Sequence, residues 1–433
     1  MTPRATTAAI LALLAALLLW NAFHYPWGRS YDAISFRDYI HTLYDLHRLP
    51  RTTDTAVWHN PPLFFAVAGA IVRGARHLGV GNAERLVQLL DAACVFGIAL
   101  LTFGLARELF PRRRWLPVLA LAATALTPVL VRAGALFHPD PLATLLNTAG
   151  IYVLVRALVR GDGRLRTGAI AGVLLALGAL TRTWGLTGIG AALAATLVAW
   201  RWRNDPRALR LAGGVALAAL VLVAPWLVVK QVRYGSAVAY AYSQPHAQEL
   251  RDRYRKPSVF LGLAPRDVFA HPWNPHFRNR PVPVLYADWW GDYWLAWRVR
   301  KKYAGGPLPA SYTRPLARQA VVGIPLTIAA IVGVVALAVR AIRRRDGAVL
   351  LVVLALLFVV GAFLAFAYRY PRVDGDNIKA LYVLDAVPML AIGCAVSLAW
   401  LWRRWIAGRA AVLAALAVTA LPSVWFLILR SRH

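Results

Sequence analysis

The chain has 433 residues, 59% of them hydrophobic and only 16% charged, and Lys and Arg outnumber Asp and Glu 49 to 19 for a formal charge of +30. Soluble domains run near 45–50% apolar and about 25% charged, so this composition argues against a water-soluble globule. The apolar residues fall in blocks of about 18–25, the length that crosses roughly 30 Å of hydrocarbon.

The first block follows Arg4 and runs from Ala8 to Trp20. It resembles a signal sequence, but it continues into aromatics without a small-residue cleavage site and reads as an uncleaved span. With this block at 6–23, further blocks predict spans near 86–106, 115–133, 141–158, 167–181, 184–200, 209–229, 318–339, 347–367, 381–400 and 409–429. A shorter block at 63–71 cannot cross and precedes Arg73 and Arg76. It reads as an interfacial helix.

The expected fold is an all-α polytopic membrane protein. It has about eleven transmembrane helices, interfacial helices in a first outer loop at 24–85, and one large outer loop at 231–317. The regions are 1–230, 231–317 and 318–433. With the N-terminus inside, the loops 107–114, 156–166, 201–210, 340–345 and 403–409 all become cytoplasmic, and each carries several arginines. Making 63–71 a span would put them all outside, against the positive-inside rule.

Only five basic residues are lysines: Lys230, Lys256, Lys301, Lys302 and Lys379. The arginine excess fits a GC-rich coding bias as well as a function, and physically it favours anionic lipid headgroups. No basic-aromatic nucleic-acid module is present. Cys94 and Cys394 lie in apolar blocks without CxxC or CxH spacing, so neither a disulfide framework nor a zinc knuckle is indicated.

Nearly all acids and histidines fall in the outer segments, and the polar residues within spans (Asp91, Arg132, Asn147, Asp385) sit mostly near outer ends. Ionisable groups at such depths mark function, and their shared level points to one site at the outer membrane surface. Two stretches carry most of the signal. The first is Ser-Tyr-Asp-Ala-Ile-Ser-Phe-Arg-Asp-Tyr at 30–39 with His-Asn-Pro-Pro-Leu at 59–63; the second is Phe-His-Pro-Asp-Pro-Leu at 137–142.

An acid directly after the first helix, a His-x-Pro-Pro-Leu segment and an Asp-Pro between later helices resemble the GT-C glycosyltransferases. The nearest branch holds the protein O-mannosyltransferases and the lipid A aminoarabinose transferases, glycosyltransferase family 39-like. The segment Asp-Asn-Ile-Lys-Ala-Leu-Tyr-Val-Leu at 376–384 also fits. The resemblance covers the first 230 residues best, and loop 231–317 matches only in placement. It implies inverting transfer of a sugar from a polyprenyl phosphate to an acceptor hydroxyl at the outer face of a bacterial cytoplasmic membrane. The acceptor, whether protein, glycolipid or polysaccharide, stays open, as does the sugar.

The residues support this chemistry. The attacking hydroxyl must lose a proton to a carboxylate within reach: Asp32 matches the family's acid, and Asp38 is the alternative base. Asp32 could instead cap the next helix. The leaving lipid phosphate needs cations, for which Lys379 and Arg182 match family positions, with Arg132 a further candidate and Tyr382 beside them. Snorkelling to headgroups is the other reading of both cations. His59, Asp140 and His138 match positions that help bind a divalent metal in some members, and His271 or His276 could complete a ligand set. Other members work without metal.

The stretch 286–297 is dense in aromatics. It reads first as an interfacial helix in the aromatic belt, and second, through Trp289 and Trp290, as a sugar-stacking surface that Tyr31 would extend. An Asp-Gly-Asp at 374–376 has the form of a nucleotide-sugar metal site, on one short match. A transporter or flippase of lipid-linked sugars is the alternative function, although such proteins usually show internal repeats and midplane sites, and none is visible here. A non-catalytic assembly role is a third reading.

Overall fold

The computed structural model describes residues 2–237, 247–272, 278–291, 310–373, 377–404 and 406–427. These residues contain helices and no strand, as hydrocarbon requires of a chain that must satisfy each backbone group internally. Among them, eight helices are long and apolar enough to cross: α1 (Pro3–His24), α4 (Glu84–Leu109), α7 (Asp140–Arg160), α9 (Leu186–Arg203) with its leading turn, α10 (Pro206–Tyr234), α16 (Ile324–Arg344) continuing from α15 (Ala310–Val322), α17 (Gly347–Arg369) and α18 (Ala386–Arg404). Apolar helices α5 (Leu116–Ala125), α8 (Leu165–Thr181) and α19 (Ile406–Leu427) fill the other three predicted positions. They are shorter in their apolar parts, so the expected count of eleven is not confirmed.

Two predicted spans change form. Residues 115–133 break between α5 and α6 (Pro128–Ala133), because Pro128 has no N–H to donate and holds Thr127 extended at φ −84° and ψ 104°. The span expected from 381 begins only at Ala386. Residues 380–383 instead form a 3₁₀ turn entered from an extended Lys379, and this unwound stretch carries Lys379 and Tyr382.

The predicted first outer loop folds into a small helical unit. Helix α2 (Ala33–Tyr44) packs on α3 (Leu63–His77), whose 15 residues reach only about 22 Å. Phe36, Tyr39, Phe64, Phe65 and Phe137 form their shared core. Tyr39 stacks on Phe65 at 3.8 Å between centroids, and its hydroxyl donates to the Asn60 carbonyl at 3.1 Å. Because Phe137 belongs to this core, the aromatic unit is pinned to the turn that leads into α7.

Small residues let the spanning helices approach, as in other membrane bundles. A Cβ on Gly333 of α16 would lie 1.7 Å from the Gly393 carbonyl oxygen of α18, so no larger residue fits. The arginine-rich turns meet at one end of the bundle. Arg160 pairs with Glu108 at 2.7 Å, Arg203 reaches the Arg344 carbonyl at 3.4 Å, and Arg340 lies 4.8 Å from the Phe110 ring. The opposite end carries the polar cluster described next.

Helices α11 (Ala247–Tyr254), α12 (Pro257–Phe260), α13 (Pro265–Phe269) and α14 (Pro281–Trp290) belong to the predicted outer loop. The aromatic-belt reading needs correction for α14. Val284, Ala287, Asp288 and Trp290 are buried in the bundle rather than lying at an interface. Residues 292–302, His276 and the Asp-Gly-Asp at 374–376 lie outside the described residues.

Candidate active site

The site is built on helix ends and unwound chain. Arg182 follows α8 in an extended conformation, Asp140 opens α7, and Asn60 sits in the loop before α3. The three meet. Arg182 Nε is 2.9 Å from Asp140 Oδ1, and its Nη1 donates to Asn60 Oδ1 at 2.8 Å. All three side chains are buried, so the pair acts at low local dielectric, where a charge must be compensated.

Tyr382 joins this pair to a second cation. The Arg182 guanidinium lies 5.3 Å from the Tyr382 ring centre, and Lys379 Nζ lies 5.9 Å from the same ring. Lys379 also stands 4.7 Å over the ring of Tyr31. Two buried cations thus share one aromatic wall, which Trp184 extends by stacking on Tyr382 at 5.7 Å. Tyr31 serves Lys379 as a cation–π partner.

Asp32 is exposed at the head of α2, in the left-handed region at φ 55°. Its side chain makes no capping hydrogen bond, so the capping explanation is not what this geometry shows. It is close enough to act electrostatically on Asp140 and Tyr382. Asp38, six residues on, faces a separate groove between α2 and α3 with His41, Asp45, Arg73 and Arg76. The structure therefore brings Asp32 to the cluster and points Asp38 elsewhere.

Behind the pair, His138 Nδ1 accepts from the Asp140 backbone N–H at 3.3 Å, while the backbone N–H of His138 donates to Asp91 Oδ2 at 3.0 Å. Burial, then the charges of Arg182 and Lys379, hold the His138 imidazole well below its ordinary pKa. Burial, with Arg182 and Lys230, does the same at His59. Both rings are therefore neutral. Asn147 Nδ2 donates to Asp385 Oδ2 at 2.8 Å, tying α7 to the residue before α18.

Arg132 has a structural place. Its Nη2 donates to the Asp288 carbonyl at 2.8 Å, and Asp288 Oδ2 accepts from the Ala380 N–H at 2.6 Å. That relay fixes α14 against the stretch that carries Lys379. Trp289 and Trp290 line an apolar cavity of about 420 Å³ with Leu326, Thr327, Val383 and Ala386, and the Trp290 indole N–H donates to Thr327 at 2.9 Å. The two tryptophans thus face apolar space.

For the metal expectation, the described residues show no assembled ligand set. Among the described residues no three His, Cys, Asp or Glu side chains converge on one point. His138 and Asp140 are adjacent, His59 does not complete a set with them, and Arg182 already occupies Asp140 Oδ1.

Residues 59–229 match the family described as dolichyl-phosphate-mannose-protein mannosyltransferase. The Archaeoglobus fulgidus oligosaccharyltransferase in its apo form superposes with a TM-score of 0.56 at 15% identity, over 97% of this chain and 55% of its own. In complex with Zn and sulfate it does so with 0.55 at 14%, over 96% and 52%. Archaeal AglB from the same organism, in complex with an inhibitory peptide and a dolichol-phosphate, gives 0.52 at 14%, over 97% and 55%. ArnT from Cupriavidus metallidurans, bound to undecaprenyl phosphate, gives 0.50 at 15%, over 97% and 63%. This is the GT-C fold.

The chain spans 52–63% of the length of these GT-C structures. No curated protein matches it in sequence. Within its GT-C frame, several buried polar atoms have no hydrogen-bond partner among the described residues: His138 Nε2, Asn60 Nδ2, Thr183 Oγ1 and Trp184 Nε1. Buried polar atoms of this kind pair with water, an ion or a ligand. Sequence reasoning missed Asn60, Trp184 and Asp288 as site residues. Asn60 stood inside a quoted motif beside His59, and Trp184 lies two residues from Arg182. Asp288 stood inside the aromatic stretch at 286–297, beside Trp289.

Proposed function

We propose that this chain is an integral membrane glycosyltransferase. It moves a sugar from a polyprenyl-phosphate donor to an acceptor hydroxyl at the outer face of the bacterial cytoplasmic membrane, with inversion. The observation that carries the reading is the buried pair of cations, Arg182 and Lys379, flanking Tyr382, whose chain neighbour Val383 lines the apolar cavity with Trp289 and Trp290. A lipid phosphate is the anion that needs both features at once, charge for its headgroup and apolar space for its chain.

The step follows from these residues. The acceptor hydroxyl gives its proton to the Asp32 carboxylate as its oxygen bonds to the anomeric carbon. The bond from that carbon to the phosphate oxygen breaks, and the electron pair leaves on the phosphate. Arg182 and Lys379 stabilise the charge that grows there, more strongly in the transition state than before it. Asp140 and Asn60 hold Arg182 in place for this task, and no step is assigned to a divalent cation. Complexes with a dolichol-phosphate and with undecaprenyl phosphate among the structures of the same fold support a polyprenyl donor.

Purified full-length protein incubated with a radiolabelled polyprenyl-phosphate sugar and envelope extract tests the reading. Label passing from the lipid to an acceptor fraction supports it. Donor that is bound, or moved across a vesicle membrane, without breakage of the sugar–phosphate bond would replace it with a carrier function.

A further inference from the structure

At the other end of the bundle, α4 and α7 enclose a cavity of about 520 Å³, lined by Phe103, Arg107 and Glu108 on one side and Tyr152, Arg156 and Arg160 on the other. The lining residues follow the helical repeat. Phe103 and Arg107 are four apart, as are Tyr152, Arg156 and Arg160, so each helix offers one continuous face. Both faces run from an aromatic ring to guanidinium groups at the helix end. The 21 residues of α7 rise roughly 30 Å, which puts Arg160 in the opposite leaflet from Asp140.

The charges in this cleft do not balance. Glu108 is engaged by Arg160, Nη2 to Oε1 at 2.7 Å and Nε to Oε2 at 3.3 Å. Arg107 and Arg156 are exposed and form no ion pair with the described residues. Three guanidinium groups therefore face one carboxylate. The floor is packed, since a Cβ on Gly104 would stand 3.1 Å from the Tyr152 ring. That glycine leaves room for the tyrosine ring against α4.

We propose that this cleft binds the headgroup of an anionic phospholipid from the leaflet opposite the candidate active site. Arg107 and Arg156 hold the phosphate, and Phe103 and Tyr152 receive the glycerol and the first methylenes of the chains. The aromatic rings decide between a lipid and a free anion. They lie one helical turn further into the bilayer than the guanidinium groups, where a free phosphate would have nothing to place. General snorkelling of exposed arginines would give neither a cavity nor paired aromatic walls at one depth.

Native mass spectrometry of the full-length protein in detergent tests this with added dioleoylphosphatidylglycerol and dioleoylphosphatidylcholine. The native chain should retain phosphatidylglycerol preferentially. Each arginine near the headgroup contributes about fivefold in affinity, so Arg107→Ala with Arg156→Ala should weaken it by about 25-fold. The pair Arg166→Ala with Arg210→Ala, exposed arginines elsewhere on the same side, removes equal charge and should leave binding within about twofold. Arg107→Lys with Arg156→Lys should keep most of it. Equal loss in the two alanine pairs would overturn the site. So would equal retention of phosphatidylcholine, or displacement of the lipid by millimolar inorganic phosphate. The readout is independent of sugar transfer.

Discussion

Arg182 Nε and Asp140 Oδ1 stand 2.9 Å apart, and both side chains are more than nine-tenths buried. The pair closes a contact between the end of α8 and the start of α7, and Asn60 adds a third element. An ion pair at this depth gains its Coulomb energy against a large desolvation cost, so its net stabilisation is small while its half-removal is expensive.

Arg182→Ala should therefore destabilise the fold by about 3–5 kcal/mol, because the buried Asp140 carboxyl loses its ion-pair partner. Arg182→Ala combined with Asp140→Asn should recover most of that loss and still lack transfer activity. Thermal melts in detergent, read by size exclusion, measure the first effect, and donor turnover measures the second. Recovery of turnover in the double variant would reduce the pair to a structural role.

His59 and His138 give the stability a pH dependence. Both have folded pKa values well below the ordinary 6.5, so the unfolded chain binds protons that the folded chain refuses. Stability is full above about pH 6.5 and falls as the pH drops below it. The melting midpoint should decline between pH 7 and pH 5, and His138→Asn should flatten part of that slope. A midpoint that rises on acidification would contradict the neutral buried rings.

The spanning helices were legible in the sequence because an apolar block of membrane length has few other uses. The unwound stretch at 379–385 was not, since Ala380, Leu381, Val383 and Leu384 read as the start of a span. Only packing against Asp288, which accepts from the Ala380 N–H, shows why the helix begins later. Within the site, Asp32, Arg182 and Lys379 were legible through short motifs. The bond from Arg182 to Asn60 crosses 122 residues of chain, and no local pattern announces it. Nor does the sequence show that Asp38 lines the groove between α2 and α3 while Asp32, six residues earlier, lies within electrostatic reach of Asp140 and Tyr382.

Orientation is testable without any substrate. The arginine-rich turns meet at one end of the bundle and the Arg182–Asp140 pair lies at the other, and the positive-inside rule puts the first end in the cytoplasm. A cysteine introduced at residue 260 should react with an impermeant maleimide in intact cells, and one at residue 112 should not. Cys94 and Cys394 are buried and give little background. Labelling at 112 alone would invert the topology and move the site to the cytoplasm.

Lys379 is expected to act on the donor. It is buried, with the rings of Tyr31 and Tyr382 at cation–π distance. Lys379→Ala should weaken donor binding by about 10- to 100-fold, the range of a charge-assisted hydrogen bond. Lys379→Arg should keep part of the affinity, as a charge with a different donor geometry. Titration of a fluorescent polyprenyl phosphate against purified variants reads both. Full affinity in both would leave Lys379 as an anchor for the 3₁₀ turn.

Asp32 bears the chemistry if the proposed mechanism holds. The acceptor hydroxyl is a poor nucleophile while protonated, and the polyprenyl phosphate departs carrying negative charge, so a base must take the proton in the transition state. Asp32 is exposed at the head of α2, free of a capping bond, and within electrostatic reach of Asp140 and Tyr382. Its left-handed backbone at φ 55° is uncommon for a residue other than glycine, although Asp and Asn tolerate it best. Asp32→Asn keeps that backbone preference and the side-chain shape while removing the basicity. A positioned general base contributes about 10²–10⁴-fold, or roughly 3–5 kcal/mol of barrier. Turnover should fall by that factor, with expression, melting temperature and donor affinity nearly unchanged. Asp38→Asn, in its separate groove, should stay within about threefold of the native rate. A dead Asp38→Asn beside an active Asp32→Asn would move the base by six residues. Activity in both variants would remove general-base catalysis by either carboxylate and with it the proposed mechanism.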